Sequence, residues 1–158
     1  MTDTDSNVQE RPRTRKVIED MLTERQAMLV QLWNLAKLDP FEEDERISGA
    51  LEEFLEILVD YIAAGHFGLY ERIATGKERR QRVVAEAEQL YPRIAMTTER
   101  AVNFSEKYED ANSDSLLKGF TEDLSRLGEE ITTRIELEDQ LIGAMLGEEY
   151  TIPPAPAG

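Results

Sequence analysis

Apolar residues along this chain recur at helical spacing and never at the period of two that marks a half-buried strand. From Arg15 the first series runs Ile18, Met21, Leu22, Met28, Leu29, Leu32, Leu35 and Ala36, interrupted by Arg25 and flanked by Trp33. It stops at Asp39-Pro40, because a residue before proline is pushed out of the helical region. An acidic connector, Phe41 to Arg46, follows, and Ser48 is a fitting N-cap for a second helix that runs to about Thr75 and halts at Gly76. A third segment, Lys77 to Tyr91, turns Val83, Val84, Ala87 and Leu90 inward and is expected to break or kink at Pro92 before resuming at Ile94, Ala95, Ala101 and Val102. Asp110 to Asp114 reads as a turn. The last helix carries Leu117, Phe120, Leu124, Leu127, Ile131, Ile135, Glu138, Ile142 and Met145 and ends near Gly147.

Four long amphipathic segments on short connectors predict an all-α protein, an antiparallel up-down-up-down four-helix bundle with a kinked third segment. One domain is expected over residues 1–150. Residues 1–14 are polar and unpatterned and read as a mobile tail, and the proline-rich stretch 151–158 reads as a disordered one. A coiled-coil scaffold fits less well, since Pro40, Gly76, Pro92 and Asn112 cut the heptads into lengths suited to a compact unit.

The second helix carries two messages. Leu51, Leu55, Leu58, Ile62, His66, Leu69 and Ile73 form its expected core stripe. Asp60, Ala63, Ala64, Phe67 and Glu71 fall on the other side, where a solvated helix should be charged throughout. An aromatic on a platform of alanines between carboxylates suggests a docking surface. A single exposed Phe is also compatible with an ordinary surface. Gly65 and Gly68 lie between the two faces and point to close approach of a neighbouring helix, or to a built-in bend.

Composition changes this picture in one respect. With 18 basic and 33 acidic residues among 158, the net charge is −15. Phosphate backbones are repelled by such a surface, which argues against nucleic acid, and a basic protein is attracted. No run approaches the roughly 20 apolar residues of a membrane span. The start Met1-Thr2-Asp3-Thr4-Asp5 lacks the basic and apolar regions of a secretory signal. There is no cysteine, so neither disulfides nor a thiolate zinc site can form. A cytoplasmic monomer is expected.

Candidate chemistry is confined to the bundle interior. His66 and Glu138 both fall on core stripes, with Arg134 just off the last stripe, Asp139 beside Glu138, and Tyr70 one turn beyond His66. A buried carboxylate needs partners, so these five residues are expected to meet in a polar cluster. It is either a structural network that fixes helix register or a small-ligand or metal site. The single histidine and the absence of Glu-x-x-His argue against a di-iron centre, and no metal or cofactor is expected. No phosphate loop, dinucleotide fingerprint or nucleophile elbow is present, and no serine is singled out to pair with His66; catalytic residues are expected to be none.

Leu58-Val59-Asp60-Tyr61, Ala64-Gly65-His66-Phe67 and Tyr70-Glu71-Arg72-Ile73, with Leu90-Tyr91-Pro92 and Leu137 to Ile142, resemble the Rsd/AlgQ family of anti-sigma regulators over most of the chain. The resemblance implies a small helical cytoplasmic bundle that binds the primary sigma factor of bacterial RNA polymerase. It also implies that the target is the sigma factor's basic C-terminal helix-turn-helix domain, kept from core enzyme and from the −35 promoter element. Asp60, Ala63 and Phe67 match family positions at that interface. Position 63 is serine in one member and alanine here, and Met21 stands where the family commonly has tryptophan. Some relatives engage alternative sigma factors. The other reading of the chain is a ligand-responsive metabolic or stress regulator that uses the polar pocket.

Overall fold

The computed structural model describes residues 2–38, 44–74, 76, 78, 80–109, 118–147 and 152. Its helices are α1 (Thr2–Ala36), α2 (Asp44–Gly65), α3 (Glu71–Ala74), α4 (Gln81–Tyr108) and α5 (Phe120–Leu146), with a π-helical turn, His66–Tyr70, between α2 and α3. No strand occurs among the described residues. The expected turn at 110–114 lies outside them, as do residues 151 and 153–158 of the expected disordered tail. Ile152 of that tail is half-buried against the core, a correction to the expectation that it packs on nothing.

Cross-helix contacts fix the topology. On α1 and α2, Gln31 bonds Glu53 at 3.5 Å, while Met21 packs at Gly65 and Val17 at Gly68. As the α1 number falls the α2 number rises, so the two are antiparallel. On α4 and α5, Arg100 pairs with Glu130, Lys107 with Asp123 at 2.6 Å, and Arg82 reaches the Ala144 carbonyl at 3.3 Å, again antiparallel. The edge-to-face pairs Phe54–Phe104 and Tyr70–Tyr91 set α2 antiparallel to α4. The result is the up-down-up-down bundle, with Ile18, Met28, Phe54, Leu58, Val83, Ile94, Ile131 and Leu141 among its buried residues.

Several boundaries differ from the sequence reading. The expected polar tail is helical from Thr2, through Pro12. A buried face is what periodicity detects, and Val8 is the only apolar residue from Thr2 to Arg13. Helix α2 starts at Asp44 rather than after a Ser48 cap, and the extra turn brings Ile47 into the core. Helix α4 starts at Gln81, not Lys77, and is unbroken through Pro92. That proline costs one hydrogen bond, the one its missing N–H would give to the Glu88 carbonyl. Gly76 takes a positive φ of 77° and donates its N–H to the Ile73 carbonyl, ending α3 where glycine was expected to stop the helix.

Lys77, Arg79, Arg80 and Arg82 cluster around the start of α4, and two of them have a structural use. The Arg80 guanidinium donates to the Met145 carbonyl at 2.9 Å, and Arg82 to that of Ala144. Both cap carbonyls at the C-terminal end of α5, where the helix dipole favours cations. Lys77 and Arg79 lie outside the described residues.

Candidate protein-docking surface and the polar cluster behind it

Between Gly65 and Glu71 the second helix changes its hydrogen bonding. The Glu71 N–H reaches back five residues to the His66 carbonyl, so one extra residue is fitted into the turn. Gly68 lies within this turn, and a Cβ on it would lie 2.5 Å from Val17 Cγ1, so α1 packs directly on the backbone here. Close approach of a neighbour is thus what Gly68 serves.

Inward of this turn lies the polar cluster. The Glu138 carboxylate is wholly buried and accepts bonds from the Tyr61 hydroxyl, from Arg134 Nε at 3.1 Å and from the Tyr70 hydroxyl at 3.5 Å. Arg25 Nη1 is 3.5 Å from Glu138 and donates to Asp139 Oδ1 at 2.8 Å. Arg134 Nη1 donates to Thr98 at 2.6 Å and Thr97 at 3.2 Å, and its guanidinium lies 5.4 Å and 5.8 Å from the ring centres of Tyr61 and Tyr70. Two guanidiniums thus meet two carboxylates, which balances the charge of groups contributed by α1, α2, the π turn, α4 and α5. Every described buried side-chain nitrogen and oxygen has a partner.

Burial pushes the Tyr61 and Tyr70 phenols well above their ordinary range, and the neighbouring Glu138 carboxylate adds to it. For Arg134, burial works to lower its basicity, but Glu138 and the two phenols outweigh it and hold the guanidinium more firmly charged.

Of the residues expected in this cluster, the structure brings together Tyr70, Arg134 and Glu138, with Asp139 at its half-exposed margin. His66 is not among them: it is exposed, a correction to its placement on the core stripe. The reason is angular. Two successive steps of four, Leu58 to Ile62 to His66, rotate about 80° around a helix of 3.6 residues per turn, which carries His66 off the core face. The steps Leu58, Tyr61, Gly65 stay on that face, and all three are buried. Tyr61, Arg25, Thr97 and Thr98 were not expected in the cluster. Arg25 had a visible signal, since a charge inside an apolar stripe needs a buried partner. Met21 is buried against Gly65, in the core rather than on a surface.

Outward lies the other face. Asp60 and Glu71 are exposed, Ala63 and Ala64 half-buried, and Phe67 is 64% exposed with its ring edge-on to the imidazole of His66. Phe67 is the most exposed of the large apolar side chains described. Among the described residues, no group of three or more His, Cys, Asp or Glu is placed to hold a metal, and no helix is long and apolar enough to cross a membrane. A surface of this kind offers apolar contact inside an acidic rim, which suits a basic protein.

The family model described as "Regulator of RNA polymerase sigma(70) subunit, Rsd/AlgQ" matches residues 1–146. The chain is 34% identical over 136 residues to the "Regulator of sigma D" of Enterobacter sp. (strain 638), covering 84% of this chain and 82% of that protein. It is 32% identical over 154 residues to the proteins of the same name from Shigella dysenteriae serotype 1 and Escherichia coli (strain K12 / DH10B), covering 94% of this chain and 96% of each relative.

Proposed function

Since the chain belongs to the Rsd/AlgQ family of regulators of the RNA polymerase sigma(70) subunit, we propose that it binds a sigma factor through the outward face of α2 and the π turn. It acts by stoichiometric sequestration in the cytoplasm, as a monomer, without catalysis and without touching DNA. The observation that carries this reading is Phe67, held 64% exposed on an alanine platform between Asp60 and Glu71. A rigid aromatic at the centre of a patch is the usual energetic anchor of an interface.

The target is the basic C-terminal domain that reads the −35 element. Phe67 enters an apolar hollow on it, Asp60 pairs with an arginine or lysine, and the net charge of −15 accelerates encounter. Covering that domain withholds the sigma factor both from promoter DNA and from core polymerase. The ligand-responsive reading draws no support from the interior, because the polar cluster uses its hydrogen-bonding groups on one another.

The test is competition. Purified chain titrated into a mixture of sigma factor and core polymerase should form a one-to-one complex with sigma and reduce holoenzyme in proportion. Association should slow steeply from low to physiological salt, while dissociation changes little. Undiminished holoenzyme at excess chain would reject sequestration.

A further inference from the structure

A second apolar seam runs beside the docking face, between α2 and α4. Val59 is 50% exposed, Tyr91 49% and Val102 41%, three of the large apolar side chains that the bundle leaves in solvent. They are not scattered. The ring pairs Phe54–Phe104 and Tyr70–Tyr91 set the register of the antiparallel helices, so a residue on α2 faces the α4 residue whose number brings the sum to about 160. Val59 therefore lies level with Val102. On α2, Val59 stands one turn from both Leu55 and Ile62, on the flank of the helix away from Gln31 and Glu53 and so away from α1. On α4, Tyr91, Thr98 and Val102 share a flank by steps of seven and four, and the Tyr70 contact turns that flank toward the π turn. Exposed His66 and Ala95 continue the seam between them.

Glu56 and Glu99, both exposed, precede Val59 and Val102 by three residues, so each valine has a carboxylate as its helical neighbour. A second copy of this chain, itself at −15, would be repelled by that rim, as would nucleic acid or an anionic lipid surface. The chemistry that fits is a basic protein segment with an apolar side. We propose that the sigma factor bound at Phe67 straddles α2 and also covers this seam, contacting Val59, Tyr91 and Val102. The inference rests on the reading of Phe67 as the docking anchor. The seam adjoins that patch, since Val59 stands one turn before Ala63 and the His66 ring lies edge-on to Phe67.

Val102 makes the cleanest probe, because it is on α4 and outside the Phe67 patch. Val102→Arg should weaken sigma binding at least tenfold with the melting temperature unchanged. Because the chain has no cysteine, Val102→Cys can carry a photo-crosslinker alone, and it should join covalently to sigma factor. If Val102→Arg binds within twofold of the parent and the label fails to join sigma, while Phe67→Ala still weakens binding about thirtyfold, the footprint ends on α2 and the seam proposal is wrong. A label that instead joins a second copy of this chain also overturns it. Loss of effect at both Val102 and Phe67 would reject the docking reading beneath it.

Discussion

Glu138 and Asp60 are both carboxylates, and the regions they belong to use charge in opposite ways. Around Glu138 the charges are desolvated, paired and hydrogen-bonded, so each group there depends on the next. Around Asp60 the side chains are exposed and an aromatic is left in water. The π turn separates the two, because it sends Tyr70 toward Glu138 while Phe67, three residues earlier, points out. One short segment thus serves stability on one side and, in our reading, recognition on the other. Perturbing either side should therefore leave the other's readout nearly untouched.

The largest expected effect lies inside. Glu138→Ala leaves the buried Arg134 without a carboxylate and the buried Arg25 with Asp139 alone, and should cost about 3–5 kcal/mol of unfolding free energy, as breaking a buried pair does. Denaturant titration measures it, and the affinity of the folded fraction for sigma factor should stay close to that of the parent. A stable Glu138→Ala that no longer binds sigma would make the cluster part of the binding machinery and erase the division.

A second effect comes from the phenols. Tyr61 and Tyr70 hold their protons more tightly folded than unfolded, so their contribution is complete below pH about 10. Above that pH the unfolded chain ionises first, and stability falls by about 1.4 kcal/mol per pH unit for each tyrosine until the folded phenols also ionise. Unfolding free energies from pH 9 to 11.5 should decline steeply for the parent and less steeply for Tyr61→Phe. Equal slopes would mean that Tyr61 is not held protonated by the core.

The smallest effect sharpens the boundary. His66→Ala should change stability by no more than about 0.5 kcal/mol, as expected of an exposed position without a buried partner. A loss of 2 kcal/mol or more would return His66 to the interior.

That residue also shows how far the sequence could be read. The bundle was legible because four stripes at helical period each need a partner, and the outward placement of Asp60 and Phe67 followed from the same wheel. The cluster was half legible. Glu138 announced itself as a charge on an apolar stripe, and Arg25 did the same on α1 without being matched to it. Tyr61 was missed because an amphipathic phenol and the side-chain-free Gly65 add little to an apolar stripe, while the drift of the four-residue steps made His66 look internal. The π turn has no marker in periodicity. The close approach of Val17 to Gly68 within that turn is a tertiary contact, and only a packed structure shows it. The helical stretch from Thr2 was hidden for the converse reason, since it has no apolar stripe to reveal it.

The division between scaffold and surface is tested most directly at Phe67. Binding of sigma factor to Phe67→Ala by isothermal titration, with a thermal melt of the same sample, reads both sides of the π turn at once. The expected result is an affinity loss of about 2 kcal/mol or more, roughly thirtyfold, with a melting temperature within about 2 °C of the parent. A variant that binds as tightly as the parent, or one that loses its fold with its binding, would contradict it.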